Sequence, residues 1–165
     1  MNLTTILSKL GISTSLTQDI TLLLVIILAS FLFGVFIGRS RLMAVLVNIY
    51  VSLAIVMAIP ASYLADYSYK ILAFLIILVF LTLWGKKIID VSMGNVGSGF
   101  MWKIFALSFL EVVLILSIIV SLTPKKNALQ YVSASSYGYL IDDPMKLIWM
   151  AAPLIFLFFV HGRSR

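Results

Sequence analysis

FMWKIFALSFLEVVLILSIIVSL, residues 100–122, reads as a helix built for lipid. It runs for about 23 residues, long enough at about 1.5 Å per residue to cross a bilayer. Near its middle stands Glu111. A carboxylate at the centre of such a helix costs roughly 2.5–3.5 kcal/mol on insertion scales, so it needs a structural or functional reason to be there. No other acid or base lies deep inside an apolar segment of this chain.

The rest of the chain has the same solvent. Of 165 residues, 62% are hydrophobic and 11% charged, with mean hydropathy +1.16. Soluble domains are about half apolar and a quarter charged, so lipid must cover most of this surface. The length suits one domain and leaves no room beside the spans for a soluble catalytic domain. Net charge is +6, but the basic residues lie at segment ends. That placement fits contact with anionic headgroups of a bilayer and excludes nucleic acid as the expected partner. With no cysteine and one histidine, a disulfide, a thiol nucleophile or a histidine-only metal site is excluded. No catalytic residue, cofactor or metal is expected.

Outward from residues 100–122, four more apolar segments appear: Ile20 to Gly38, Leu42 to about Tyr63, about Tyr69 to Trp84, and about Met145 to Val160. The runs are too long, and lack the period-two alternation, for strands. The expected fold is an all-α integral membrane bundle of about five transmembrane helices. The third and fifth segments, about 16 residues each, are short for a crossing. Residues 1–18 form a separate interfacial segment. There Leu3, Ile6, Leu7 and Leu10 share one face, opposite Thr4, Thr5, Ser8 and Lys9, as in an amphipathic surface helix. Residues 19–165 form the single transmembrane domain.

Five spans put Arg39, Arg41, Lys86, Lys87, Lys103, Arg163 and Arg165 on one side, against Lys9, Lys70, Lys125, Lys126 and Lys146. The positive-inside bias then places the N-terminus outside and the C-terminus in the cytoplasm. Arg39, Arg41, Lys86, Lys87, Arg163 and Arg165 are the cytoplasmic anchors. Tyr63, Tyr67, Tyr69, Tyr131, Tyr137 and Tyr139 fall on the outer side, as an interfacial belt or a docking surface. Gly94 to Gly99 follows no strand and reads as a flexible turn rather than a nucleotide loop. Asp142-Asp143-Pro144 reads as a helix start, with an acidic cap and a first-turn proline.

Ser30, Gly34 and Gly38 share one face of the first segment, and Ala44, Asn48 and Ser52 one face of the second. Small residues at that spacing let membrane helices approach closely, so Gly34, Gly38 and Ala44 are helix-packing candidates. The short turn at residues 39–41 makes the two segments neighbours, and the pattern predicts a tight hairpin. Counted from the cytoplasmic ends, Ser30 lies about 12 Å deep, Asn48 about 10 Å, Ser52 about 16 Å and Glu111 about 15 Å. Ser108 is one turn from Glu111 on the same face. Glu111, Asn48, Ser30, Ser52 and Ser108 thus form an expected intramembrane polar cluster. No basic residue reaches that depth, which points to a protonated acid hydrogen-bonded to Asn48 or a serine. The cluster can serve as a proton or cation relay, as an anchor for another subunit, or as an internal bond that fixes helix register.

Asp19-Ile20 ahead of the first segment, Gly38-Arg39-Ser40-Arg41-Leu42 opening the second, Ala73-Phe74 in the third and Gly85-Lys86-Lys87-Ile88 after it follow a recognisable rhythm. Ser135 or Ser136 stands where a serine late in the outer loop belongs. In these features the chain resembles the colicin V production protein family of bacterial inner-membrane proteins. The resemblance implies a multi-pass protein of the cell inner membrane without enzymatic activity, linked to toxin export or envelope homeostasis. The expected role is an export or envelope accessory, or a subunit of a membrane assembly. The alternative is a small proton- or ion-coupled transporter or channel centred on Glu111. Either role implies a homo-oligomer or other membrane subunits as partners.

Overall fold

The computed structural model describes residues 14–37, 41–60, 62–84 and 100–162. The surface helix expected around Leu3, Ile6, Leu7 and Leu10 lies outside these residues. So do Gly38, Arg39, Lys86, Lys87, the Gly94–Gly99 turn, Arg163 and Arg165. The described chain is helical throughout: α1 Thr14–Ile37, α2 Leu42–Ala58, α3 Tyr67–Trp84, α4 Phe100–Leu122, α5 Lys125–Ala128, α6 Ala134–Ile141 and α7 Asp143–Gly162.

Three stretches are long and apolar enough to cross a membrane: Leu16–Ile37, Tyr67–Trp84 and Trp102–Leu122. This makes the protein an all-α membrane protein. α2 is shorter, at 17 residues, a length of about 25 Å. The pattern of apolar residues carries the second segment to Tyr63, but the helix stops at Ala58. Pro60 is the cause, because it holds Ile59 in an extended conformation (φ −69°, ψ 128°). α1 begins at Thr14, six residues ahead of the apolar run. α7 begins at Asp143 with Pro144 in its first turn, where proline's missing N–H is no loss.

α4 is the hub. It packs against α1, α2, α3, α6 and α7. Leu107, Leu114 and Ile118 share one face of α4 and form the main core with Leu42, Leu46 and Ile49 of α2 and Phe74 and Leu78 of α3. The opposite face sends Val113 and Val120 into a second core with Ala128, Val132 and Leu140, against which Leu22 and Ile26 of α1 pack.

α1 departs most from the hairpin that the small residues suggest. It lies along α4, not α2. A Cβ built on Gly34 would come within 2.8 Å of Ser108 Oγ and 3.5 Å of Ser108 Cβ. The glycine therefore admits α4. The inward face of α2 is filled instead by bulky Leu42, Leu46 and Ile49, which find their complement on α3 and α4.

Side chains close the helix ends where backbone groups lack partners. α6 is only eight residues long, and its last carbonyls have no intrahelical donor. Ser117 Oγ donates to Leu140 O at 2.9 Å and Trp149 Nε1 to Tyr139 O at 2.7 Å. Inside α7, Pro153 removes a backbone donor. One turn before it, the Met150 carbonyl accepts a hydrogen bond from Tyr50 of α2.

Candidate functional site: an enclosed carboxyl and an end clasp

Glu111 falls on the same face of α4 as Leu107, Leu114 and Ile118, and one turn from Ser108. It is 0% exposed, as are Ser30, Ser52 and Ser108, while Asn48 is 6% exposed. Gly34 opposite Ser108 sets the register of α1 against α4. Because the two helices are antiparallel, Ser30, one turn earlier, comes level with Glu111, about one turn later. Ser108 thus meets α1 at Gly34, while Ser30 and Glu111 are enclosed at about the same level one turn further along each helix.

These groups do not form the expected hydrogen-bonded network. Ser30 Oγ donates to Ile26 O at 2.6 Å, and Ser52 Oγ to Asn48 O at 2.7 Å. Both hydroxyls bond back to their own helix, the usual recourse of a serine in an apolar setting. Ser108 Oγ and both carboxyl oxygens of Glu111 have no hydrogen-bond partner among the described residues. A buried polar group left unsatisfied costs about 1–3 kcal/mol. The three orphaned oxygens stand on one helix, three residues apart, beside a core of leucine, isoleucine, valine and phenylalanine.

Enclosure narrows what Glu111 can do. A residue that anchors a second subunit must reach the bundle surface, and Glu111 does not. Its oxygens are hard ligands, as are the hydroxyls beside it, so the cluster has the chemistry for a proton or a monovalent cation. Among the described residues no group of three His, Cys, Asp or Glu side chains comes together that could hold a metal ion.

No family model matches the chain, and no curated protein or solved structure matches it. The chemistry must therefore be read from the geometry alone.

A second polar constellation stands at the opposite end of α1. Asp19 Oδ1 accepts hydrogen bonds from Ser133 Oγ and, at 2.5 Å, from Ser136 Oγ. Ser133 also caps α6, accepting from Ser136 N at 3.1 Å. One carboxylate thus clasps the start of α6 to the first turns of α1, across more than a hundred residues of chain. Composition gives no hint of this meeting. The available signals were an acid opening a span and three serines, Ser133, Ser135 and Ser136, within four positions. Of the other candidate residues, Ala44 is half-buried on α2 and Arg41 is exposed beside it. The tyrosines Tyr63, Tyr69, Tyr131 and Tyr139 are all strongly exposed.

Proposed function

We propose that this chain is a non-enzymatic, multi-pass protein of a bacterial cytoplasmic membrane, working as an export or envelope accessory or as a subunit of a membrane assembly. The observation that carries this reading is the Asp19 clasp. Asp19 is one of the positions through which the chain resembles the colicin V production family, Ser135 or Ser136 is another, and Asp19 and Ser136 are hydrogen-bonded to one another. A direct bond between two such positions supports treating the resemblance as structural. In this reading α2 and α7 complete five spans, with the N-terminus outside and the C-terminus in the cytoplasm. Asp19, α6 and the exposed tyrosines then face outward as the surface offered to other subunits or to further copies of this chain.

Complementation tests it. A strain lacking the gene should regain toxin export or envelope integrity with the parent protein. Asp19→Ala, inserted in the membrane at the same level, should fail to restore it. Full restoration by Asp19→Ala would remove the clasp from the function.

A second reading rests on Glu111. An enclosed acid whose oxygens find no partner among the described residues is suited to take up and release a proton or a small cation. A small ion-coupled transporter or channel would use it so. Glutamine keeps hydrogen-bonding capacity but carries no exchangeable charge. Glu111→Gln should therefore abolish ion or proton flux in reconstituted vesicles while helicity is retained. Flux equal to that of the parent protein would exclude this reading.

A further inference from the structure

A crevice enters the bundle between α2, α4 and α7, at the end that carries the Asp19 clasp. Its walls are Leu53 and Met57 of α2, Ile118 and Leu122 of α4, and Met150 of α7. The bond from Tyr50 to the Met150 carbonyl joins α2 to α7 beside it. At the mouth stands Lys146, half-buried, without an ion-pair partner among the described residues. Asp142, one turn before it, turns instead to the open groove along α6. Ser121 lines the same wall, and its hydroxyl makes no hydrogen bond among the described residues. Ser117, the other serine there, already donates to Leu140.

We infer that this crevice is a binding site for one anionic phospholipid. An ammonium and a free hydroxyl both line an otherwise apolar slot, which opens to the bilayer in the five-span reading proposed above. The complementary occupant has a phosphate for Lys146 and Ser121 and an acyl chain for Leu53, Met57 and Ile118. The cavity measures only about 40 Å³. The chain therefore lies along the crevice with one side on the bilayer, rather than sealed inside the protein. This site stands apart from Glu111 and does not depend on the role assigned to it.

Native mass spectrometry of the full chain tests the inference. The protein is released from detergent micelles carrying equal amounts of phosphatidylglycerol and phosphatidylcholine. One phosphatidylglycerol should be retained per chain, with about five-fold preference over phosphatidylcholine, the size expected from one lysine at a headgroup. Lys146→Gln should abolish that preference. Lys146→Arg should keep it, and Lys126→Gln, at an exposed position of α5, should leave it unchanged. Met57→Trp, which fills the slot and keeps the charge, should reduce retention of both lipids. Equal retention of the two lipids by the parent protein would overturn the site. So would a preference that survives Lys146→Gln, or displacement of the lipid by excess inorganic phosphate.

Discussion

Leucine in place of Glu111 is expected to make the protein more stable, by about 1–3 kcal/mol, and to remove any activity that depends on a proton or cation at that site. The sign follows from the surroundings. Glu111 is fully enclosed, and neither of its carboxyl oxygens has a hydrogen-bond partner among the described residues. Leucine is close in volume, and it continues the face formed by Leu107, Leu114 and Ile118. The change leaves no described group unpaired, because none among the described residues is bonded to the acid. Replacing a buried polar group by an apolar one of similar shape is then neutral or stabilising. Glu111→Gln gives no such gain, since an amide at the same place still has polar atoms to satisfy. Reversible unfolding of the purified protein in mixed micelles measures both variants. Destabilisation by Glu111→Leu would mean that the carboxyl holds the bundle together.

The second large effect belongs to Gly34. Gly34→Leu should cost about 1–3 kcal/mol or more, the usual range for overpacking a filled contact. Its effect should concentrate on α1, which rests chiefly on α4. Limited proteolysis should cut the stretch joining α1 to α2 faster in this variant. Gly34→Ala should be far milder, although its Cβ would sit 2.8 Å from Ser108 Oγ. Ser108 Oγ has no partner to lose and is free to rotate away. Alanine also restores helix propensity, worth about 0.8–1.0 kcal/mol in helix hosts. In a Ser108→Ala background the remaining clash disappears, so the two alanine substitutions should be better tolerated together than their separate costs imply. Equal damage from Ala and Leu at position 34 would show that α1 does not approach α4 there.

The features legible in the sequence were those set by local rules. Residues 100–122 form one helix, as the apolar run and its length require. Asp143-Pro144 opens the last helix, as an acid and a proline in a first turn should. Pro60 was equally readable as the end of α2, but the apolar residues beyond it masked the break. Counting residues placed Ser30, Ser52, Ser108 and Glu111 deep along their helices, and the cost of a polar group facing lipid explains why all four turn into the bundle.

Illegible was the choice of partner. A small-residue face specifies close approach to some helix, and a short connection suggests the next one in sequence. Gly34 chose Ser108 because the bulky side chains of α2 fit α3 and α4 better. The same limit hid the Asp19 clasp and the Tyr50–Met150 bond, each joining residues a hundred or more positions apart. It also hid the isolation of Glu111. Serine hydroxyls that bond back to their own helices cannot serve a neighbour, and that choice depends on the rotamer rather than on composition.

The placement of α1 on α4 underlies both the enclosure of Glu111 and the clasp at Asp19, and disulfide trapping tests it directly. The chain has no cysteine of its own, so introduced pairs report without background. Gly34→Cys with Ser108→Cys places two Cβ atoms about 3.5 Å apart, within the range a disulfide needs. With a protease site inserted between residues 85 and 99, mild oxidation in native membranes should leave the two fragments joined until a reductant is added. Gly34→Cys with Asn48→Cys, the pairing of a hairpin between α1 and α2, is read with the protease site placed between residues 37 and 42 instead, and should not form a bond. Trapping of the 34–48 pair and failure of the 34–108 pair would contradict the architecture and return Glu111 to an unassigned surface.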